Sequence, residues 1–396
     1  MDTYGLIFAG GFKKGKNLFA SEVEDMDKDF KEYVEGTLTD VDRGMVDGVT
    51  AIRDYAFYQY AGLKSITIPY TTMNIGDYAF YQCSDLERVS IEAGTTNIGS
   101  YVFYQCSDLV DVNIPSSITS IGANAFYGCS SLTTISIPST VTSFGDGVFS
   151  GCSSLTSISL SGLMPSIPAS FLSGCQSLET LKIPDRVESI GAYAFDGCSS
   201  LTTANIPSGV TSLNSNTFRN CSSLTDISIP SSVTIIYDYV FQNCSSLTNI
   251  SISYGVTSLG RNVFEHCEDL TSIVLPDSIT QIGQYSTFGD CSSLTSIILS
   301  NNITNMGSYT FSRCYSLPSI TIPSNVTSMG NYTFEDCTSL ASITLLPANP
   351  PTLGTNVFLN VPNTLKIYVP AASVSAYQSA SGWSAYASQI EAIPSN

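Results

Sequence analysis

Twelve cysteines recur at an almost constant spacing, and this spacing constrains the fold more than any other feature of the chain. They occupy positions 83, 106, 129, 152, 175, 198, 221, 244, 267, 291, 314 and 337. Ten of the eleven intervals are 23 residues long, and one, from Cys267 to Cys291, is 24. A fixed period of about 20 to 50 residues is typical of repeats that stack on one another. The spacing therefore predicts one elongated stack of similar turns and not several globular domains.

Each repeat contains alternating apolar residues that end at a proline, as in "LTTISIP" (Leu132–Pro138). This alternation predicts a short strand with one buried face. A second extended piece follows, in which Val141 and Phe144 are expected to point inward, and a glycine recurs after it at a predicted turn. One such repeat cannot bury its own apolar face, so neighbouring strands are expected to pair into a parallel sheet.

Identical positions of successive turns should then form ladders inside the protein. In the end repeats Tyr60 and Val361 take the cysteine position, so the cysteine behaves as a small apolar core residue. Zinc would require paired cysteine spacings or accompanying histidines, and the only histidine is His266. Disulfides between adjacent turns remain an alternative to buried free thiols. We predict no metal and no cofactor, and a structural core ladder that includes Cys83, Cys106, Cys129, Cys152, Phe80, Phe103, Phe126 and Phe149.

The charge pattern argues against several kinds of partner. The net charge is −18 with only 15 lysines and arginines, so we expect no nucleic acid to bind. Residues 1–50 hold 11 of the 33 acidic and 6 of the 15 basic side chains, which leaves the repeats weakly charged and rich in hydroxyl groups. Such a surface suits a protein or a carbohydrate ligand. No run of 18 apolar residues is present, so no membrane insertion is expected, and no signal peptide is recognisable.

The repeat pattern, L-x-x-I-x-I-P-x-x-V-x-x-I-G-x-x-A-F-x-x-C, resembles the BspA-like branch of leucine-rich repeats over about residues 49 to 369. The resemblance implies a mainly β, right-handed solenoid with a parallel sheet on one face. It also implies a surface-exposed adhesin or binding protein, while related repeats in phage tail proteins offer an alternative role. The closing segment of the chain, from "ANPPTLGTNVF" onward, is similar to the end of family members from gut and oral anaerobes.

The repeats divide the chain into three predicted parts: an N-terminal segment, 1–48, a solenoid of about fourteen repeats, 49–369, and a C-terminal cap, 370–396. Ser21–Gly36 reads as an amphipathic helix with a Ser21/Glu24 capping box, which either caps the stack or docks onto an assembly partner. At the other end, Val374, Tyr377, Trp383, Tyr386 and Ile390 predict two short capping helices separated by Gly382.

Two segments depart from the simple repeat. Gly162–Cys175 carries Pro168 in the glycine position, and Ile282–Cys291 contains the extra residue of the 24-residue interval. Both predict bulges, which are either tolerated irregularities or binding spots.

Gly10–Asn17 fits part of a phosphate-binding loop, but too few residues lie outside the repeats to build an NTPase sheet. His266 lies in a loop beside an inward-facing Cys267, which is no arrangement for nucleophilic catalysis.

Tyrosines supply the best candidate ligand site. One set precedes the phenylalanine ladder by two places, and a second set follows it in the first four repeats at Tyr58, Tyr81, Tyr104 and Tyr127. Tyrosine combines an apolar ring with a polar tip, which favours contact with proteins or sugars, although simple ladder packing is the alternative. We predict ligand binding by these four tyrosines together with Arg88 and Asp111 on the sheet.

These observations predict a non-enzymatic adhesion scaffold that contacts host or microbial surface proteins or glycans at the cell surface or outside the cell. The alternatives are a structural or receptor-binding component of a phage tail or similar particle, and a cytoplasmic scaffold. An enzyme is the least favoured class, because no cleft with an exposed nucleophile can be identified in the repeats.

Overall fold

The computed structural model describes residues 40–41 and 49–394, which fall into two compact units, a first that ends at Arg186 and a second that begins at Val187. The predicted helix Ser21–Gly36 and the loop Gly10–Asn17 lie outside the described residues. The predicted parallel β-solenoid is confirmed, with about 15 turns. Each turn contributes one strand to a first row of parallel strands and, in most turns, a two-residue strand to a second row. We call these rows the first and second sheets, and hydrogen bonding divides their described strands into nine groups.

The first unit consists of short strands that alternate between the two sheets. They are β1 (Asp40–Val41), β2 (Ala51–Ile52), β3 (Ser65–Ile68), β4 (Asn74–Ile75), β5 (Arg88–Ile91), β6 (Asn97–Ile98), β7 (Asp111–Asn113), β8 (Ser120–Ile121), β9 (Thr134–Ser136), β10 (Ser143–Phe144), β11 (Ser157–Ser159), β12 (Ser166–Ile167) and β13 (Thr180–Leu181). Strands β1, β3, β5 and β7 pair in that order in the first sheet, and the five strands from β2 to β10 with even numbers pair in the second.

The second unit repeats this arrangement. Its strands are β14 (Ser189–Ile190), β15 (Thr203–Ala204), β16 (Ser212–Leu213), β17 (Asp226–Ile229), β18 (Ile235–Ile236), β19 (Asn249–Ile252), β20 (Ser258–Leu259), β21 (Ser272–Val274), β22 (Ser296–Ile298), β23 (Asn305–Met306), β24 (Ser319–Ile322), β25 (Ser328–Met329), β26 (Ser342–Leu345), β27 (Thr352–Leu353), β28 (Lys366–Val369) and β29 (Ile390–Ala392). Strands β21 and β22 follow each other directly, because the 24-residue repeat has no second-sheet strand of its own.

The register places equivalent residues of successive turns side by side. Arg88 on β5 is opposite Ser65 on β3 and Asp111 on β7, and the inward-facing Val89 is opposite Ile66. In the phenylalanine ladder of the first unit, ring centroids from Phe57 to Phe149 are 5.0–5.5 Å apart and the rings are stacked. This one-to-one register explains why a 23-residue period produces continuous core ladders.

Every cysteine is a buried free thiol. The thiols are also hydrogen-bond donors: Cys106 Sγ lies 3.1 Å from the carbonyl oxygen of Phe80 in the preceding turn, and Cys83 and Cys129 make the same contact with Phe57 and Phe103. The same Phe80 carbonyl also accepts the backbone N–H of Cys83 at 3.2 Å. The column therefore links each turn to the next and does more than occupy volume.

The C-terminal residues pack on the last turns of the second unit. Two 3-10 segments, Ala371–Ser373 and Trp383–Gln389, flank helix α1 (Val374–Ser379). Tyr377 and Trp383 are fully buried, and they donate hydrogen bonds to the carbonyls of Pro347 at 2.9 Å and Pro351 at 2.8 Å. The second predicted helix is thus a 3-10 segment. Ile390, expected in that helix, instead begins β29, which pairs in parallel with β28.

Candidate binding surface

Seven tyrosines of the first unit form one continuous aromatic surface, which we call the tyrosine array. The first column contains Tyr55, Tyr78 and Tyr101, and the second contains Tyr58, Tyr81, Tyr104 and Tyr127. Within each column neighbouring ring centroids lie 4.6–4.9 Å apart with interplanar angles of 3–8°. The columns touch each other through tilted pairs at 5.5–5.6 Å. The array therefore combines all four second-column residues predicted from the sequence with three more.

The backbone holds the first column in an unusual conformation. Tyr55, Tyr78 and Tyr101 have φ values of 57–60°, in the left-handed region. For a bulky residue this conformation costs about 1–2 kcal/mol relative to the right-handed region. The next two residues of the same column are Asn124 and Gly147, types that adopt this conformation more readily. Turn geometry alone therefore does not select tyrosine here, and ring stacking offsets part of the strain.

An amide ladder borders the second column. Gln59 Nε2 donates to Gln82 Oε1, and Gln82 Nε2 donates in turn to Gln105 Oε1, each at 2.7 Å. These glutamines directly follow Tyr58, Tyr81 and Tyr104 in the chain, and they too have positive φ. The ladder fixes the amide groups in one orientation, so the edge of the array presents an ordered row of polar groups.

The array exposes ring edges and hydroxyl groups more than ring faces. Tyr55 is 54% exposed, and the other six rings are half-buried, with Tyr78, Tyr81 and Tyr104 each covered by a stacked ring on both sides. Partial burial raises the pKa of Tyr78 and of Tyr104, and the adjacent phenols add to the effect. Both hydroxyls therefore stay protonated at neutral pH and can donate hydrogen bonds.

Arg88 and Asp111 lie apart from the tyrosine array. They occupy the exposed face of the first sheet, where they are direct cross-strand neighbours on β5 and β7. Arg88 Nη2 is 3.9 Å from Glu87 Oε2, and Lys64 Nζ is 3.0 Å from the other oxygen of the same carboxylate. The structure thus groups the four predicted tyrosines with one another, and places Arg88 and Asp111 in a separate polar row on another segment of the turn.

The groups considered for catalysis or metal binding have other surroundings. The side chain of His266 is 42% exposed, with Nδ1 4.0 Å from Asp290 Oδ2. Burial raises the pKa of the Cys267 thiol well above its ordinary value, which keeps that sulfur protonated. Among residues 40–41 and 49–394, no group of three or more His, Cys, Asp and Glu side chains could hold a metal ion. In the same part of the chain, no helix has the length and apolar character needed to cross a membrane.

Comparison with known proteins identifies the family. The family model described as BspA type Leucine rich repeat region (6 copies) matches residues 50–179, 165–286 and 257–381. The chain belongs to this family. No curated protein matches the BspA-type chain in sequence.

Solved structures of three bacterial proteins are similar to the BspA-type chain in fold and sequence. A leucine-rich repeat protein from Bacteroides ovatus is 29% identical, with a TM-score of 0.74, over 87% of this chain and 88% of its own. A leucine rich cell surface protein from Faecalibacterium prausnitzii is 28% identical, with a TM-score of 0.51, over 84% and 88%. A leucine-rich repeat protein from Eubacterium ventriosum is 27% identical, with a TM-score of 0.55, over 75% and 82%. Family and fold thus define a leucine-rich repeat scaffold.

Sequence reasoning missed the conformational side of this BspA-type surface. Positive φ recurs at two positions of each turn, one in the first tyrosine column and one directly before the cysteine. The sequence did contain a signal for positive φ, because residues that favour it occupy the same repeat position as Tyr78: Asn124, Gly147, Asn216 and Asn262. No sequence signal indicated the thiol hydrogen bonds, because they depend on the offset between successive turns.

Proposed function

We propose that this protein is a non-enzymatic adhesion scaffold of a bacterial cell surface and that the tyrosine array binds a partner protein. The seven stacked rings carry this proposal, because they bring seven residues of a type enriched in binding sites into one continuous surface. Catalysis finds little support in a molecule whose thiols are buried and whose histidine is a half-exposed loop residue.

The geometry of the array favours a protein over a sugar stacked on the rings. Sugars bind tyrosine mainly through a free ring face, and the inner faces of both columns are already covered by neighbouring rings at 4.6–4.9 Å. The exposed edges, hydroxyl groups and the Gln59, Gln82 and Gln105 ladder instead offer mixed apolar and hydrogen-bonding contact. Tyrosine-rich protein-binding surfaces use this combination.

Stacking also prepares the array for binding. A tyrosine that is free to rotate loses side-chain entropy when a partner orders it, at a cost of about 0.5–1.5 kcal/mol for each immobilised side chain. Tyr81 and Tyr104 are each held between two stacked rings before any partner arrives, so most of that loss has already occurred. The array should consequently bind with little rearrangement of its side chains.

The similarity to a leucine rich cell surface protein of Faecalibacterium prausnitzii supports a location at the cell surface. A surface scaffold of this kind meets secreted host proteins and the proteins of neighbouring microbes. The weakly charged, hydroxyl-rich repeats suit short-range contact with such partners more than long-range electrostatic steering.

The test compares two triple variants of the full chain. In the first, Tyr81, Tyr104 and Tyr127 are replaced by alanine; in the matched control, Tyr239, Tyr309 and Tyr332 of the second unit are replaced instead. Binding is measured by biolayer interferometry on a panel of immobilised extracellular matrix proteins, secreted host proteins and bacterial surface proteins, with a glycan array as the carbohydrate arm.

We expect the array variant to lose about tenfold or more in affinity for any protein that the wild type binds, since central interface tyrosines typically contribute over 1 kcal/mol each. The control variant should bind like the wild type, and circular dichroism should show both variants folded. Undiminished binding by the array variant contradicts the proposal, as does equal loss in both variants.

A further inference from the structure

The extra residue of the 24-residue interval interrupts the second sheet of the second unit. Strands β16, β18 and β20 pair in one group and β23, β25 and β27 in another. Between the two groups only isolated bridges remain, Ser258 with Gln281 and Tyr285 with Ser308. A comparison with the neighbouring turns places the insertion between Gly283 and Cys291, where the regular turns have one residue fewer.

A cleft of about 730 Å³ lies at this interruption. Its volume is within the range of about 300–1,000 Å³ that is typical of small-molecule sites. The polar side chains that line it come from four successive turns and include Asp238, Arg261, Gln281, Gln284, Asn302 and Asn305. The backbones beneath them are closely packed: a Cβ atom on Gly283 would lie 2.2 Å from the carbonyl oxygen of Gly260. The depression is therefore lined by polar groups over a dense backbone floor.

The charges in the cleft cancel each other. Arg261 donates from Nε at 3.1 Å and from Nη2 at 2.9 Å to Asp238 Oδ2, and its backbone N–H donates to Oδ1 at 2.8 Å. These two residues are the only charged side chains in the lining. A neutral cleft does not select anions such as phosphate or sulfate. The lining combines these polar groups with the aliphatic residues Leu259 and Ile282, so it suits a ligand that offers apolar surface as well as hydroxyl groups.

The remaining lining groups are amides and hydroxyls. Each amide carries two donor hydrogens and one acceptor oxygen, so it matches a sugar hydroxyl, which also donates and accepts. Gln281 and Gln284 are exposed, and Gln284 Nε2 donates to Asn305 Oδ1 at 3.1 Å, whereas Nδ2 of the exposed Asn302 already donates to the carbonyl oxygen of Asp277 at 2.7 Å. We propose that this cleft binds a neutral carbohydrate, such as one end of a hexose or N-acetylhexosamine oligosaccharide, independently of the tyrosine array.

The experiment uses the full chain and the double variant Gln281→Ala with Gln284→Ala. A matched control replaces two exposed glutamines outside the cleft, Gln176→Ala with Gln378→Ala. An array of neutral and acidic oligosaccharides identifies binders, and isothermal titration calorimetry measures the affinity for the best neutral one. We expect neutral glycans to bind, the cleft variant to lose about tenfold or more in affinity through the missing hydrogen bonds, and the control to match the wild type.

Three results overturn this assignment: no glycan binds, only acidic glycans bind, or the cleft variant binds as well as the wild type. The proposal is separable from that of the tyrosine array. The variant with Tyr81, Tyr104 and Tyr127 replaced should keep its glycan affinity, and the cleft variant should keep its affinity for a partner protein.

Discussion

Alkaline pH is expected to destabilise this protein unusually strongly, because its core contains a column of protonated thiols. Burial raises the pKa of nine of them above the ordinary value of 9.0, to about 12 for Cys152 and for Cys337. The nine are Cys106, Cys129, Cys152, Cys221, Cys244, Cys267, Cys291, Cys314 and Cys337. In the unfolded chain a thiol loses its proton near pH 9, whereas the folded chain keeps it to higher pH. Below pH 8 the thiols are protonated in both states and do not affect stability. Above about pH 9 only the unfolded chain loses these protons, so the free energy of unfolding falls as the pH rises.

The magnitude follows from proton linkage. Over the window between the unfolded and folded pKa values, each thiol makes the free energy of unfolding smaller by about 1 kcal/mol per pH unit. Six of the nine thiols lie in the second unit, which should therefore lose roughly 6 kcal/mol between pH 9 and pH 10. Such a loss is comparable with the whole stability of an ordinary domain, about 5–15 kcal/mol. The three in the first unit correspond to roughly 3 kcal/mol over the same interval.

Urea unfolding followed by circular dichroism, in excess reductant at several pH values between about 7 and 10, measures this dependence. Staying below pH 10 limits the contribution of tyrosines, whose ordinary pKa is about 10. Cys267→Ala removes one titrating group, so its stability should fall less steeply with pH than that of the wild type. Val263→Ala, at an equally buried position of the same turn, should lower stability without changing the slope. An unchanged slope in Cys267→Ala, or a flat stability profile from pH 8 to 10, would refute the reasoning.

Three further outcomes follow from the same structure. Alkylation followed by mass spectrometry should label none of the twelve thiols in the native protein at neutral pH and all of them in urea; rapid native labelling would contradict the core assignment. Trp383→Ala should destabilise the second unit by about 3–5 kcal/mol in urea unfolding, because a fully buried ring and its bond to Pro351 are lost. Tyr239→Asn should raise the melting temperature, since Tyr239 has a φ of 62° between Asn216 and Asn262 in its column, while Tyr78→Asn, which loses two stacked neighbours, should not.

The fold was largely predictable from the sequence because the repeat reports its own stacking. Leu132–Pro138 marks a first-sheet strand, and the cysteine spacing marks the register. The C-terminal residues were less predictable, because Ile390 satisfies a helical spacing with Tyr386 but begins a strand that pairs with Lys366–Val369. Pairing of that kind depends on the position of a distant strand edge, which hydrophobic periodicity does not encode.

Local departures from the repeat predicted the positions at which the core ladders change, but not the packing that replaces the regular ladder there. Phe171 arrives one place early, and the protein keeps it fully buried by turning its ring edge-on to Phe149, at 85° and 5.4 Å. At the Gly283–Cys291 insertion the second sheet is instead interrupted, beside the cleft. Both segments satisfy the rule that the core must stay filled. Whether the backbone or a side chain adjusts to such a departure from the repeat depends on packing that only the folded chain reveals.

The candidate surfaces follow from what stacking does and does not require. Inward positions repeat because any other residue would open a cavity or clash, so Phe103 and Cys106 describe the core and not a ligand. The left-handed column requires only a residue that tolerates positive φ, and Asn124 meets that need with less strain than Tyr101. Tyrosine, the more strained residue, nevertheless occurs in three consecutive turns beside a second column of tyrosines. The packing of the fold does not explain this preference. The proposed binding function would account for this preference, and loss of binding in the array variant without loss of folding is the outcome that separates binding from packing alone.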